Sequence, residues 1–275
     1  CESVYSLGPV EVSPRPCDFE KWRFSLRVCV HIVGVNRSLS WTWPSIQRRL
    51  IRPLAMTPSL KLHIHLSLIA PAENRVDSSR TGESGKLQDY IPDELLSSSN
   101  LVLQQDELLS MHSDLMRKVR EIGDEWEDNG YSAGNHLAAL GALQASVVSC
   151  DHDPHLLIYC RPDIEILGRL PLARAALVTI FSPKTPRVFL PTWGRNGGEN
   201  DRFAIVSASA GHAYFQRVLL LGDFLEAGMK LHSEKFLSWS LARVTKFHAI
   251  RSEMVRVRLG GLRERKDLIR VARKR

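Results

Sequence analysis

The run Leu26 to Val35, LRVCVHIVGV, is the sequence feature that most limits what this chain can fold into. A short run of β-branched residues with few charges is typical of a parallel strand that is buried on both faces. Ser40 to Leu54 follows with apolar residues at helical spacing, and a second run, Leu60 to Ile69, again fits a strand. A strand, helix, strand order predicts a parallel sheet with right-handed crossovers. We therefore expect an α/β fold with a mostly parallel central sheet flanked by helices.

The remainder of the chain continues this alternation. The pattern predicts helices at Leu101 to Ile122, His136 to Val148, Tyr214 to Leu225 and Glu234 to Val244, and strands at His155 to Cys160 and Val188 to Leu190. Ala72 to Asp89 is rich in serine, glycine and charge and has no apolar period, so we expect a loop there. That loop follows the second strand, at the sheet edge where open α/β sheets bind ligands.

Composition indicates one globular domain. The 275 residues are 44% hydrophobic and 24% charged, and no segment approaches the roughly 20 consecutive apolar residues that a membrane span needs. We expect residues 26–250 to form this domain, after an irregular lead-in of residues 1–25 that is rich in proline and before a basic tail of residues 251–275. The net charge of +7 is concentrated in this tail, which leaves open a solvated end, contact with anionic lipid or contact with nucleic acid.

Cysteine usage gives the expected compartment. The five cysteines form an odd set, and Cys29 and Cys160 lie inside apolar runs, where a free thiol behaves as a small hydrophobe. This favours a reducing compartment, so we expect a cytoplasmic protein, with peripheral membrane contact through the basic tail left open. The sequence begins with Cys1 rather than Met, so a preceding anchor segment, and with it a Golgi lumen location, also stays open.

Charged residues directly follow the strand His155 to Cys160. Arg161, Asp163 and Glu165 are therefore expected at the ligand edge of the sheet. Asp163 and Glu165 offer the hard oxygen ligands that a divalent cation such as Mn²⁺ or Mg²⁺ prefers, and Arg161 offers a bidentate fork for phosphate. The alternative is a strand-end turn with a surface ion pair.

A glycine-rich segment, WGRNGGENDRF, provides the second candidate site. Gly197 and Gly198 permit close approach of the backbone to a ligand, and Trp193 could stack on a sugar ring or base. Asp201 and Arg202 follow, and we expect them in a loop that closes over substrate. The alternatives are a hydrophobic plug for Trp193 and a structural pair for Asp201 and Arg202.

Two further groups of polar residues have the composition of a functional site. In the loop after the second strand, Arg80 could contact phosphate and Glu83 could remove a proton from an acceptor hydroxyl; the alternative is a polar surface loop. The cluster Asp151, His152, Asp153 and His155 has the composition of a metal site. It enters the strand whose other end carries Arg161, on the order of 20 Å away, so we expect no metal there.

The ordered motifs resemble a known family. They are RVCVHIVGVNRSL, SIQRRLIRPL, SSRTGE, NHLAALGAL, LLIYCRPDIEIL and GGENDRFAI. Their order over about Leu26 to Gly260 resembles a family of glycosyltransferase-like proteins of bacteria, algae and large algal viruses. In that family a strand ending in Arg-Pro-Asp is followed by a Trp-Gly and Asn-Asp-Arg-Phe-Ala loop.

The resemblance implies a Rossmann-like domain of the GT-A type, in which the aspartate at the end of the central strand lies beside the donor diphosphate and its metal. By position, Asp163 would be the donor or metal residue, Arg161 a phosphate partner, and Arg37 a residue near the nucleotide. Asp201 and Arg202 would line the acceptor side. The usual Asp-x-Asp of GT-A enzymes is replaced here by Arg-Pro-Asp-Ile-Glu, which leaves metal dependence open.

The function that these observations favour is transfer of a sugar from a UDP- or GDP-linked donor to a glycan or other hydroxyl acceptor. No Gly-x-Ser-x-Gly, Walker or His-Glu-x-x-His motif points to hydrolase chemistry instead. Two alternatives stay open: a transferase fold without activity, and a phosphate- or nucleic-acid-binding protein that uses the basic tail. The tail lacks interleaved aromatic residues for base stacking, so we expect no specific nucleic acid partner.

Overall fold

A computed structural model of the chain describes residues 25–78, 82–87, 90–96, 99–148, 153–242 and 246–272. The strands are β1 (Leu26–Val35), β2 (Leu60–Ala70), β3 (Arg75–Ser78), β4 (Glu83–Lys86), β5 (Ser99–Gln104), β6 (Leu156–Cys160), β7 (Ile164–Ile166), β8 (Arg187–Pro191), β9 (Phe203–Ser207), β10 (Lys246–Ile250) and β11 (Met254–Arg256).

The helices are α1 (Leu39–Ile46), α2 (Arg52–Ala55), α3 (Gln105–Met111), α4 (Ser113–Ile122), α5 (Tyr131–Val148), α6 (Leu172–Phe181), α7 (Ala208–Phe215), α8 (Leu221–Glu226), α9 (Ser233–Ala242) and α10 (Arg265–Ala272). A π-helical turn, Gln47–Ile51, joins α1 to α2, and short 3₁₀ turns occur at Ala72–Asn74, Asp93–Leu95, Arg217–Leu220 and Leu259–Gly261. None of the helices in the described residues is long and apolar enough to cross a membrane.

Seven strands form the central sheet, in the order β10-β8-β9-β6-β1-β2-β5. Six of them run parallel to one another, and β9 is antiparallel to both of its neighbours, β6 and β8. Two small antiparallel pairs, β11 with β7 and β3 with β4, lie outside this sheet. The predicted α/β class with a mostly parallel sheet flanked by helices is therefore confirmed.

Both faces of the sheet are covered, which explains its near-continuous apolar strands. In β6 every residue is buried: Leu156, Ile158 and Cys160 belong to the core cluster that also contains residues of α1 and α6, while Leu157 and Tyr159 pack with residues of α5, α7 and α9. Successive side chains of a strand point to opposite faces, so one short strand anchors both helix layers.

Three element predictions were wrong in detail. The expected loop Ala72 to Asp89 contains the hairpin β3–β4, whose four-residue polar strands leave no apolar period to detect. The expected helix Leu101 to Ile122 begins as the edge strand β5, where half-buried Leu101 and Leu103 alternate with exposed Val102 and Gln104. The expected helix Tyr214 to Leu225 begins earlier, in α7, and is broken by the 3₁₀ turn before α8.

Candidate active site

A cleft lies at the carboxyl ends of β1, β2 and β6, with a cavity of about 210 Å³. Gly34, Ile69 and Tyr159 form its floor at the three strand ends, where open α/β sheets bind ligands. Six arginines line it: Arg37, Arg161, Arg202, Arg217, Arg256 and Arg258. The carboxylates that line it are three: Asp163, Asp201 and Glu234. Glu83, Glu264 and Asp267 pair with three of these arginines from outside the lining. The cleft therefore offers a concentration of guanidinium groups rather than an excess of positive charge, and guanidinium groups suit the oxygens of an anionic ligand.

Asp163 lies where the sequence predicted, just beyond the end of β6, and only 1% of it is exposed. Arg161 donates two hydrogen bonds to the Asp163 carboxylate, from Nε to Oδ1 at 2.9 Å and from Nη2 to Oδ2 at 2.6 Å. The Nε of Arg37 lies 3.9 Å from Oδ2. Burial alone would raise the pKa of Asp163, but Arg161 and Arg37 outweigh burial and lower that pKa to about 2. Asp163 is therefore an ionised carboxylate that orients arginines.

The cation site expected at Asp163 and Glu165 does not form in this structure. Glu165 accepts two hydrogen bonds from Arg263, at 2.6 and 2.7 Å, and it is not among the residues that line the cleft. Both oxygens of Asp163 are occupied by Arg161. Within the described ranges, no group of three or more His, Cys, Asp or Glu side chains could hold a metal ion. The residues present do not fit a divalent cation bound between these two carboxylates.

Glu83 connects segments of the chain and does not offer a free base. It is buried, and its carboxylate accepts hydrogen bonds from Arg37 Nη1 and Arg258 Nη1, both at 3.1 Å, and from the Leu259 backbone N–H at 3.0 Å. Glu83 therefore ties β4 to the end of β1 and to the C-terminal residues. The other phosphate candidate of this loop, Arg80, lies outside the described residues.

The C-terminal basic residues lie at the cleft. Strand β11 pairs with β7, and the Val257 N–H donates to the Asp163 carbonyl at 2.8 Å. Arg256 holds the buried carboxylate of Asp267 with two side-chain hydrogen bonds, at 2.8 and 3.0 Å. Arg256, Arg258 and Arg263 of this segment are thus paired with carboxylates of the protein.

Trp193, Gly197 and Gly198 of the glycine-rich segment pack on protein, away from the cleft. Trp193 is only 7% exposed and belongs to the hydrophobic core, and its carbonyl accepts a 2.6 Å hydrogen bond from the Asn200 side chain. A Cβ atom on Gly198 would overlap the backbone of Glu234 at the start of α9. Gly197, with φ of +83°, supplies the adjoining left-handed turn. Neither the glycines nor Trp193 line the cleft, so their observed role is packing.

Asp201 and Arg202 do line the cleft, but protein groups hold them there. Arg202 is 8% exposed and donates to Glu234 Oε1 at 2.8 Å and to the Gly194 carbonyl at 3.2 Å, and its Nη1 lies 3.1 Å from Asp201 Oδ1. Burial would raise the pKa of Asp201, but Arg202 and Arg161 outweigh it and hold that pKa well below its usual range. Asp201 is thus ionised and faces the cleft beside its arginine.

The α5 side of the cleft carries residues for which the sequence suggested no role. Asn135 and His136 project from α5, and Trp126 stacks on His232, with ring centroids 5.3 Å apart. Burial lowers the pKa of His136 to about 3, so its imidazole is neutral near pH 7. Its buried Nε2 has no hydrogen-bond partner among the described residues.

Arg217 is another residue of the cleft for which the sequence suggested no role. Only 2% of it is exposed; Nη1 donates to the Tyr214 carbonyl at 2.6 Å, and the guanidinium carbon lies 4.6 Å from the centre of the Tyr214 ring. No carboxylate in the described part of the chain lies within 4.0 Å of it, and its buried Nε has no partner there. A sequence signal existed: Arg217 is a lone charge between AYF and VLLL, and a charge in an apolar run needs a partner.

The described residues of the acidic and histidine cluster, Asp153 and His155, lie at the opposite edge of the sheet, as expected. Asp153 is exposed and pairs with Arg27 at 3.1 Å, and His155 Nδ1 accepts the Arg27 backbone N–H at 3.1 Å. Asp151 and His152 are outside the described residues.

Comparison with known proteins identifies no family for this chain. No family model matches it, and no curated protein matches it. Among solved structures, the apo form of mouse xyloside xylosyltransferase 1 is similar, with 11% identity over 82% of this chain and 84% of that chain and a TM-score of 0.42. At that identity and score the likeness assigns neither substrate nor activity, so the function rests on the residues of the cleft.

Proposed function

We propose that the chain is a glycosyltransferase that moves a sugar from a nucleoside-diphosphate donor to a hydroxyl acceptor. The observation that carries this proposal is the cleft at the carboxyl edge of the sheet, whose lining includes six arginines. A donor of this class has a diphosphate that is negative in the ground state and gains charge as it leaves. Arginines placed at a fixed site stabilise that developing charge without reorganising. The GT-A resemblance of the motif order points to the same class.

Sugar transfer requires the cleft to hold the leaving diphosphate and to orient the acceptor hydroxyl. The bond between the anomeric carbon and the donor phosphate oxygen breaks, the bond from that carbon to the acceptor oxygen forms, and the acceptor proton leaves. Arg37 and Arg161 face the cleft at the ends of β1 and β6 and are suited to hold the leaving diphosphate. Asp201, ionised and at the cleft, is the carboxylate proposed to orient the acceptor hydroxyl by accepting its hydrogen bond. Arg202 and Arg161 hold the pKa of Asp201 too low for an efficient base, so we propose that the acceptor proton passes to the departing diphosphate, which gains negative charge as its bond breaks.

Asp163 and Glu83 receive different roles from those the sequence favoured. Asp163 positions Arg161 and Arg37, and Glu83 positions Arg37 and Arg258. Because Asp163 and Glu165 are each engaged by arginine, we propose that donor binding does not need Mn²⁺ or Mg²⁺ at that pair.

A donor-hydrolysis screen tests the proposal. UDP-, GDP- and CMP-sugars are incubated with the full chain, with Mn²⁺ in one arm and EDTA in the other, and free sugar and nucleotide are measured. We expect one nucleotide class to be hydrolysed in both arms. Arg161→Met should abolish turnover, whereas Arg117→Met, which removes an exposed arginine paired only with Asp114 and Glu121 on α4, should not. Absence of turnover with every donor would contradict the proposal, and hydrolysis confined to the Mn²⁺ arm would contradict its metal-free form.

A non-catalytic phosphate-binding module is the second candidate, and one observation favours it. The three carboxylates that the sequence suggested for the donor or the reaction, Asp163, Asp201 and Glu83, are each engaged by arginines. Nucleoside diphosphates would then raise the melting temperature without turnover of any sugar donor, because a ligand that binds only the folded state stabilises it. Nucleic acid binding through the tail has less support, since Arg256, Arg258 and Arg263 are all paired.

A further inference from the structure

We infer that Arg217 and His136 form an anion subsite on the α5 side of the cleft, and that this subsite contacts a phosphate group of the ligand directly, without a metal ion. The inference rests on the proposed function only for the kind of molecule that carries the phosphate. No motif or resemblance in the sequence assigns a role to either residue.

The first observation is a buried charge without an opposite charge. Arg217 is 2% exposed; it donates to the Tyr214 carbonyl and packs on the Tyr214 ring, and no carboxylate of the described residues lies within 4.0 Å of it. A carbonyl and an aromatic face compensate a buried cation only partly, and an isolated buried charge is costly. An anionic ligand would supply the missing compensation.

The second observation is that this arginine is held in one orientation. The hydrogen bond from Nη1 at 2.6 Å and the ring contact at 4.6 Å fix the guanidinium plane, while Nε stays buried with no partner in the described chain. A side chain whose rotamer is already fixed loses less entropy when it binds a ligand. Such a fixed fork suits the oxygens of phosphate.

The third observation is the neutral histidine that lines the same cavity. Nε2 of His136 is buried and has no partner among the described residues, so it can exchange a hydrogen bond with a ligand oxygen. Asp201 is the carboxylate whose charge acts most strongly on His136, and it is already engaged by Arg202 at 3.1 Å. Asp201 therefore does not neutralise Arg217, whose charge stays available to a ligand.

The shape of the cavity agrees with a small anion. Its volume of about 210 Å³ is below the roughly 300–1,000 Å³ of pockets that bury a whole drug-sized ligand. A diphosphate fits such a volume, with the rest of a donor extending into the open part of the cleft.

Binding of pyrophosphate and of UDP, measured by calorimetry in EDTA, tests the subsite. The full chain is compared with Arg217→Met, with Arg217→Lys, which keeps the charge but not the fork, and with Arg117→Met as the control for net charge. We expect pyrophosphate to bind the unaltered protein and the control alike, with about 10- to 100-fold weaker binding to Arg217→Met and intermediate binding to Arg217→Lys. His136→Gln should weaken binding by a smaller factor.

Thermal melting separates ligand contact from folding. Removing an uncompensated buried charge should leave the melting temperature of ligand-free Arg217→Met unchanged or raised, while the upward shift caused by pyrophosphate is lost. If Arg217→Met does not fold, the inference is tested by comparing the pyrophosphate-induced rise in melting temperature of Arg217→Lys with that of the unaltered protein. Equal affinity in the Arg217 variants and the control overturns the inference, as does failure of pyrophosphate and UDP to bind in EDTA.

The same measurements separate this inference from the proposed function. Pyrophosphate binding that depends on Arg217, in a protein that hydrolyses no sugar donor, leaves the subsite standing and removes the transferase. Donor turnover that is unchanged in Arg217→Met leaves the transferase standing and removes the subsite.

Discussion

Two walls of the cleft differ in how their charges are compensated. On the paired wall, Arg37, Arg161, Asp163 and Glu83 contact opposite charges at distances between 2.6 and 3.9 Å. On the unpaired wall, formed by Arg217 and His136, no carboxylate of the described residues lies within 4.0 Å of the buried guanidinium, and the buried imidazole Nε2 has no hydrogen-bond partner there. A compensated ion-pair network holds segments of the chain in place, and uncompensated buried groups are costly unless a ligand satisfies them. The contrast separates a frame, whose charges hold the chain in place, from a wall whose buried groups we propose that a ligand satisfies.

The largest expected effect is on the paired wall. A carboxylate at a strand end is expected to add little packing, but Asp163 is 1% exposed and faces two arginines. Asp163→Ala leaves both guanidinium groups without that charge, so we expect a loss of about 3–5 kcal/mol in the free energy of unfolding. Urea unfolding followed by circular dichroism measures it. A loss below 1 kcal/mol together with abolished donor turnover would make Asp163 a ligand-binding residue rather than a frame residue.

The next effect concerns Arg202, which lies between the walls. Lysine keeps the charge but cannot contact Glu234, the Gly194 carbonyl and Asp201 at once, as Arg202 does. We expect Arg202→Lys to lower the free energy of unfolding by about 1–3 kcal/mol, because the Glu234 carboxylate, Gly194 carbonyl or Asp201 carboxylate is then left under-satisfied.

Donor turnover of Arg202→Lys, measured below its melting temperature, decides the role of the residue. Near-normal turnover is expected if the pair is structural. A variant that keeps the melting temperature of the unaltered protein but loses turnover would place Arg202 among the ligand contacts.

A pH effect distinguishes the walls through His136. Burial lowers its folded-state pKa to about 3, while the unfolded value is about 6.5, so the unfolded chain binds the proton first as the pH falls. The folded state therefore loses stability as the pH falls below about 6.5. His136→Gln should flatten that slope by up to about 1.4 kcal/mol per pH unit.

Urea unfolding at several pH values between 7.5 and 5 measures the slope. His31, whose burial also lowers its pKa to about 3, is present in both proteins and cancels from the comparison. Parallel stability curves for the two proteins would show that His136 is not a buried neutral group. With pyrophosphate bound, the slope of the unaltered protein should also flatten, since a nearby anion favours the protonated imidazole.

The sequence predicted the sheet better than it predicted the cleft. Buried strands such as β1 and β6 can be recognised in the sequence because both of their faces are apolar. The place of Arg161 and Asp163 directly after β6 predicted that they lie at the carboxyl edge of the sheet, where the structure has them. The partners of these residues could not be read in the same way. Glu83 and Arg258 meet across 175 positions of the chain, and no local pattern encodes such a contact.

The glycine-rich loop shows the same limit. A glycine lets another group come close to the backbone, but the sequence does not say whether that group is a ligand or another part of the chain. For Gly198 it is the backbone at the start of α9. Arg217 carried a usable signal, a single charge in an apolar run, which became specific only when the fold showed that no carboxylate in the described chain pairs with it.

The smallest expected effect is at the other end of β6. Asp153 is 93% exposed and pairs with Arg27 in solvent, where an ion pair contributes about 0–1 kcal/mol. Asp153→Asn should therefore leave the free energy of unfolding, donor turnover and the pyrophosphate shift in melting temperature nearly unchanged. Asp163→Asn makes the same chemical change at the opposite end of the strand, and β6 separates the two positions by on the order of 15–20 Å. We expect the pair to differ strongly in all three measurements. Equal effects would mean that charge, rather than position at the carboxyl edge, decides what these aspartates do, and a loss of turnover in Asp153→Asn alone would move the site to the amino edge of the sheet.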